Sequence, residues 1–304
     1  MTAALWLRPR AEWIPYVVER SHEPAYLRAL LLGERLFASY ALAQLEGAAF
    51  PRSEWWLCET GDGVGVVCHS RAGLGDATLT LGPAEAVAAI LSLHPGGLQT
   101  FLTARPEQLP ALEPAYTLAE RRVMRRMAVT AERFAPREGR VMRLRGRQVA
   151  IVNRLYSSEG QAAAYLPRHL EEGCYYGVIV EGRLVAIAGT HAISLSEEIA
   201  IIGNVFTHPQ YRGQGYATQA TSAATADLLQ HCRDVVLSVD PANTAAVESY
   251  RHLGYRDVGA IIEAAARRRA SGMATVARRV AAAYRGRRES VEVVWRERLK
   301  KGPV

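Results

Sequence analysis

The chain has 304 residues, 49% of them hydrophobic, and a formal charge of +7 at pH 7. Its apolar content is ample for a buried core in one large domain or two of ordinary size, and no apolar run approaches the roughly 20 residues of a membrane helix. The charge is uneven: from Ile261 onward ten Arg and two Lys face four Glu, a net +8, which leaves about −1 for the rest.

Met1–Arg10 lacks a basic stretch followed by an apolar segment, so no secretory signal is read there and a cytoplasmic protein is expected. Residues up to about 50 read as helical, with apolar residues at three-to-four spacing in 24–32 and 36–42. Trp55–Glu59 and Val64–His69 are strand-like, joined by Gly61-Asp62-Gly63, a hairpin turn in which Asp-Gly tolerates positive φ. Glu85–Leu93 reads as a helix, Leu98–Thr103 as a strand, Pro106–Tyr116 as helical and Arg122–Val129 as a strand. Residues 1–130 thus form an α+β domain, and 131–140, with Pro136 and Gly139, form a linker. The four cysteines, Cys58, Cys68, Cys174 and Cys232, contain no C-x-x-C pair and no accompanying His cluster, so they are read as small buried hydrophobes rather than metal ligands. Cys58 and Cys68 are placed to face each other across the hairpin.

The second half is more regular. Val141–Leu144 begins a strand, and Arg147–Tyr156 and Gln161–Leu170 read as helices. Tyr175–Glu181 and Leu184–His191 form a hairpin about Glu181-Gly182-Arg183, and Glu198–Phe206 is the next strand. His208-Pro209 ends that strand, because Pro cannot extend a ladder. Gly213 and Gly215 then open a helix through Leu229. A glycine loop feeding a helix start gathers backbone N–H groups and the positive end of the dipole at one spot, which suits an anion. Asp234–Val239 follows as a strand, Thr244–Leu253 as a helix stopped by Gly254, and Tyr255–Ile262 as a strand. The domain is bounded at 141–263. Residues 264–304 are a basic helical tail, with Val276, Val280 and Tyr284 every four residues and a final strand at Ser290–Trp295.

The spacing Gln210-x-x-Gly213-x-Gly215, between a strand and a helix, resembles the pyrophosphate motif of the GNAT superfamily of N-acetyltransferases. Asn243–Tyr255 is similar to a second segment of that superfamily, and the order of elements over residues 140–263 matches its topology. The resemblance implies a mixed, mostly antiparallel sheet with splayed central strands flanked by helices, preceded here by a smaller α+β domain. It implies acetyl-CoA as co-substrate, no metal, and acetyl transfer to a small-molecule or peptide amine by direct attack.

By the same resemblance, Val205, Phe206 and Thr207 offer backbone hydrogen bonds to the pantetheine arm. Arg212, Gly213, Gln214, Gly215, Tyr216, Ala217 and Thr218 cradle the pyrophosphate. Tyr250 stands where the superfamily often has its general acid, and a phenol suits protonation of a thiolate; the plainer reading is a core aromatic. Asn243 either caps its helix or sits near pantetheine. Many members carry a Glu nine residues before the motif's Gln; here that position is Ile201. Glu198, acting through water, and His191 are the candidate bases, with Glu197 read as solvated. Asn204 interrupts the apolar strand and is read as orienting substrate. Residues 1–130 read as a degenerate copy of the same fold that walls the acceptor cleft or mediates a homodimer. Two rivals stand beside the enzyme: a non-catalytic acyl-CoA-binding or regulatory module, and a nucleic-acid-associated protein acting through the Arg-rich tail, a partner disfavoured by the plainer reading of that tail as a solvated helix docked on its own domain.

Overall fold

The structure, a computed structural model, describes residues 13–72, 75–160, 165–269 and 291–297. In chain order the first half runs β1 (Trp13–Ser21), α1 (Pro24–Leu32), α2 (Ser39–Ala43), β2 (Ser53–Thr60), β3 (Gly63–Ser70), β4 (Ala77–Leu81), α3 (Ala84–Leu93), β5 (Gln99–Ala104), α4 (Leu109–Leu112) and β6 (Tyr116–Val129). The second half runs β7 (Val141–Arg143), α5 (Val149–Tyr156), α6 (Pro167–Glu172), β8 (Tyr176–Val180), β9 (Arg183–Ser194), β10 (Ile199–Thr207), α7 (Tyr216–Leu228), β11 (Asp234–Val239), α8 (Thr244–His252) and β12 (Arg256–Arg268), and β13 (Val291–Glu297) closes the chain. The order strand, two helices, three strands, helix, strand, helix, strand therefore occurs twice.

The described residues gather into two compact units, one of those within Met1–Leu27, Phe50–Arg121 and Ile262–Val304, the other of those within Arg28–Ala49 and Arg122–Ile261. Residues 28–49, expected with the first 130, group with the second unit. The sixth strand of each half, β6 or β12, begins in one unit and ends in the other.

In the first unit β1 through β4 pair antiparallel and β5 joins β4 in parallel. Helix α3 links β4 to β5 and buries Val87, Ile90 and Leu91 against Val18, Trp56, Val67 and Leu102. Each such side chain contributes roughly 1.5–3 kcal/mol when fully removed from water. The helical expectation for the first residues fails at Trp13–Ser21, which is a strand: Tyr16 and Val18 are buried while Val17 and Glu19 are exposed, the two-residue alternation of a half-buried sheet. Pro106–Tyr116 is shorter in helix than expected, ending at Leu112 before β6 starts at Tyr116. Strand β4 carries too brief a pattern to stand out in the sequence.

Cys58 pairs with Gly65 and Cys68 with Trp55, so the two thiols do not face each other; all four cysteines are buried and free. Ala264–Arg268 belongs to β12, paired with β5, rather than to a helical tail, because the strand must run on to satisfy the edge of β5. Arg268 Nη1 donates to the Gly96 carbonyl at 2.7 Å and Arg269 Nε to the Glu113 carbonyl at 2.7 Å, so two of these arginines cap backbone groups of their own unit. The expected helix at 276–284 lies outside the described residues, and β13 supplies the expected final strand.

In the second unit the strand order is β12-β6-β11-β10-β9-β8-β7. β7 to β10 pair antiparallel, β10 and β11 run parallel across α7, and β11 pairs antiparallel with β6. Helices α7 and α8 pack on Ala200, Ile202, Val235 and Leu237. Helices α5 and α6 pack instead with Leu144, Leu184 and Ile187. Gly254 ends α8 at φ 92; a Cβ there would lie 2.0 Å from the Arg133 carbonyl, so glycine is required both by conformation and by the close approach of the linker. No helix among the described residues is long and apolar enough to cross a membrane.

Candidate functional site

The parallel pairing of β10 with β11 covers only Ile199–Ile202 against Asp234–Leu237. Beyond it the strands part. The cause lies on the other edge of β10, where Asn204 and Val205 together oppose the single residue between Gly189 and Ile187 of β9. This is a bulge, which bends its strand and raises the local twist. Asn204 takes φ 53, a left-handed conformation that Asn tolerates better than other side chains do. Tyr156 Oη donates to the Asn204 carbonyl at 2.5 Å and pins the bulge from α5. Val205 then packs with α7 and α8 while its neighbour Phe206 packs with Tyr156 and Tyr165. The backbone of 203–207 is thus turned out of the ladder beside β11.

The loop from β10 to α7 approaches the same end of the strand. Gly213 and Gly215 take φ 76 and φ 75, and nothing lies within 4 Å of the Cβ position at either. Gly215 is the N-cap of α7 with no side-chain cap bond, and the first intrahelical bond is Gln219 N to the Gly215 carbonyl. The N–H groups of Tyr216, Ala217 and Thr218 accordingly converge at an uncapped helix start, with positive potential from the dipole. Gln214 is exposed; Tyr216, Ala217 and Thr218 are half-buried. Arg212 is differently engaged: its guanidinium bonds Glu159 and, at 3.3 Å, the Thr207 carbonyl, and it lies 6.0 Å over the Phe206 ring.

Two sets of titratable side chains flank the parted strands. Tyr250 of α8 sits in the cluster that holds Leu237, Val239 and Tyr255 and against which Val205 packs. It is 7% exposed, and burial pushes its phenol up to about 12. His191 is the extra residue of a second irregularity, where β9 slips between Ala192 and Thr190 opposite Ile201 and Ile202. It is exposed, with Nδ1 2.6 Å from Tyr40 Oη and Nε2 3.1 Å from Asn204 Oδ1. Gly203 leaves the room for it, since a Cβ there would meet the imidazole at 2.2 Å.

Other candidates fall elsewhere. Glu198, at φ 50, ends the turn before β10, six residues and about 20 Å of extended strand from Asn204. It lies at the wrong end to serve as a base there. Glu197, expected to be solvated, is buried at 6% and pairs with Arg28, while its backbone N–H donates to Ser194 Oγ at 3.2 Å. Ile201 is buried and offers no acid-base group. Asn243 caps α8, its side chain accepting from Ala246 N at 3.2 Å. Tyr40, Tyr156 and Tyr175 were not legible as site residues; tyrosines on amphipathic segments carry no signal of this kind without the bulge that gathers them.

The first unit contains the corresponding parallel pair, β4 and β5, but closes it. Only Gly82 and Pro83 separate β4 from α3, so there is no loop to hold a ligand. Gln108, fully buried, accepts from Thr80 Oγ1 at 2.8 Å and Arg105 N at 3.0 Å and donates to the Gly82 carbonyl at 2.8 Å. Its amide thus ties β4 and the Gly82 turn to the segment that follows β5.

A family model described as Acetyltransferase (GNAT) family matches residues 148–255. Among solved structures, a GCN5-related N-acetyltransferase from Kribbella flavida is 19% identical, with 78% of this chain and 97% of that chain covered and a TM-score of 0.53. A GCN5-related N-acetyltransferase from Sphaerobacter thermophilus is 16% identical, with 87% and 98% covered and a TM-score of 0.51. A Drosophila protein is 12% identical, with 82% and 98% covered and a TM-score of 0.60. Identities this low speak to the fold alone. No curated protein matches the chain.

Proposed function

We propose that the chain, whose residues 148–255 match the acetyltransferase (GNAT) family, transfers an acetyl group from acetyl-CoA to a primary amine of a small molecule or peptide. The observation that carries the reading is the parting of β10 from β11 beside the uncapped, glycine-opened start of α7. Acetyl-CoA, when bound, supplies an activated acyl carbon and a thiolate that leaves.

The chain's own groups fit that task. The loop and helix N–H groups of Gly213–Thr218 would hold the pyrophosphate, and the absence of any Cβ at Gly213 and Gly215 lets phosphate oxygens reach the backbone. The turned-out backbone of Val205, Phe206 and Thr207 would bind the extended arm and polarise the carbonyl. We leave Arg212 with Glu159 and Asn243 with its helix cap. Tyr250 keeps its proton until a thiolate forms, and is assigned as the acid. His191 is the proton acceptor within reach of the bulge, and Asn204 orients it. We further propose that residues 1–130 are a degenerate copy of the fold, a reading supported by the repeated element order and by Gln108 in place of a ligand. The four buried thiols, none in a disulfide, support a cytoplasmic setting.

Titration calorimetry with acetyl-CoA tests the reading. One saturable site per chain is expected, because among the described residues the open strand pair lies in the second unit. No binding, or two equivalent sites, contradicts it.

A further inference from the structure

Resting on the proposed acetyl transfer, we infer that Tyr40 of α2 is the group that takes the acceptor amine's proton, passing its own to His191, and that the buried Arg126 positions it. One chain of hydrogen bonds runs from Thr190 to Tyr40 with its direction fixed at each link. The Thr190 carbonyl can only accept, so Tyr175 Oη, 2.9 Å away, donates to it. Burial holds the Tyr175 phenol well above its ordinary range, so that proton stays in place. The Tyr175 oxygen therefore offers a lone pair, and Asn204 Nδ2 donates to it at 3.4 Å. That sets the orientation of the Asn204 amide: its Oδ1 faces His191 Nε2 at 3.1 Å. An amide oxygen only accepts. Nε2 therefore carries the proton of the neutral imidazole, and in that form Nδ1 bears the lone pair and accepts from Tyr40 Oη at 2.6 Å.

The consequence is that the basic nitrogen of His191 is aimed at Tyr40. A proton reaches it through the Tyr40 oxygen. As the amine nitrogen bonds to the acyl carbon and the carbon–sulfur bond breaks, the surplus N–H proton passes to Tyr40 Oη, and Tyr40's own proton moves to His191 Nδ1. Tyr250 gives its proton to the departing thiolate. The imidazolium then returns its proton to solvent, from which Tyr250 is restored, so charge and protons balance over the cycle.

Arg126 explains why Tyr40 stands there. It is 1% exposed, with Nε donating to the Leu36 carbonyl at 3.2 Å, Nη2 to Ser39 Oγ and Nη1 to Ser238 Oγ at 3.0 Å. Leu36 and Ser39 lie just ahead of Tyr40 on the same segment, and Ser238 is the first residue of β11 past its pairing with β10. The guanidinium so ties α2 to the point where the strands part, and its Cζ lies 5.3 Å from the Tyr40 ring centroid. The segment lies a hundred residues ahead of the matched family region. The neighbouring charges are paired: Glu46 accepts from Ser194 and Ser196, and Arg28 holds Glu197.

The test uses the full chain, Tyr40→Phe, which keeps the ring over Arg126, and two readouts. Ring nitrogen-15 NMR of His191 should show the Nε2–H tautomer, with the Nδ1 signal moving in Tyr40→Phe. With acetyl-CoA and whichever member of a primary-amine panel turns over fastest, Tyr40→Phe should lower kcat at pH 7 at least roughly tenfold. The loss should shrink as pH rises and hydroxide takes the surplus N–H proton in place of the missing relay, with the KM for acetyl-CoA unchanged. An Nδ1–H tautomer overturns the inference, as does an unchanged pH–rate profile in an active Tyr40→Phe. If the wild-type chain binds acetyl-CoA but acetylates no amine, the acetyl-transfer reading fails first and the role of Tyr40 fails with it.

Discussion

Tyr250→Phe is expected to lower kcat by roughly a hundredfold while leaving acetyl-CoA affinity within about twofold. The phenol stands in the cluster of Leu237, Val239 and Tyr255, so the ring is what the core needs and Phe supplies it. What Phe lacks is the proton. Burial pushes that group up to about 12, so it holds its proton at working pH and can give it to a basic acceptor such as a leaving thiolate. The same shift has a sign for stability. A folded-state value raised above the ordinary value near 10 means the stabilisation is complete below pH 10 and is lost as pH rises toward 12. Steady-state kinetics with a thermal-melt control check the prediction. Undiminished turnover in Tyr250→Phe would remove Tyr250 from the chemistry. A wild-type chain that binds acetyl-CoA without any turnover would favour the binding-module reading instead.

Gln214→Glu is expected to weaken acetyl-CoA binding about 10- to 100-fold, some 1.4–2.8 kcal/mol. Gln214 is exposed and lies between the two glycines whose positive φ shapes the loop. The replacement is nearly isosteric and needs no unusual backbone angle, so the melting temperature should hold. It places a carboxylate where the α7 N–H groups are to meet a diphosphate, and the loss should shrink at high salt as the repulsion is screened. Calorimetry at two ionic strengths measures both effects. Unchanged affinity would move the diphosphate away from this loop.

The second half of the chain was the more legible in sequence because its signals are local. Apolar runs marked β10 and β11, and Gly213, Gly215 and Gly254 carry the positive φ values that glycine in those places implies. The first half misled where a signal was short or ambiguous. Trp13–Ser21 alternates on a period of two but lies among helical spacings, and β4 is five residues long. The base was the least legible part of the site. The position where a carboxylate was sought holds Ile201, and Glu198 stands at the far end of the strand. What makes His191 accessible is a pair of β irregularities and the bare backbone of Gly203, which depend on strand register, and register is set by pairing across the sheet rather than by neighbours in sequence. Tyr40 and Arg126 are 86 residues apart in the chain and meet only through tertiary packing.

The central claim is that the opening between β10 and β11 carries acetyl transfer to an amine. Thiol release from acetyl-CoA, followed with and without a panel of primary amines, tests it most directly. The account predicts saturable, amine-dependent release, matched mole for mole by acetylated amine and reduced in Tyr250→Phe. Release that no amine raises above the rate with acetyl-CoA alone would contradict it.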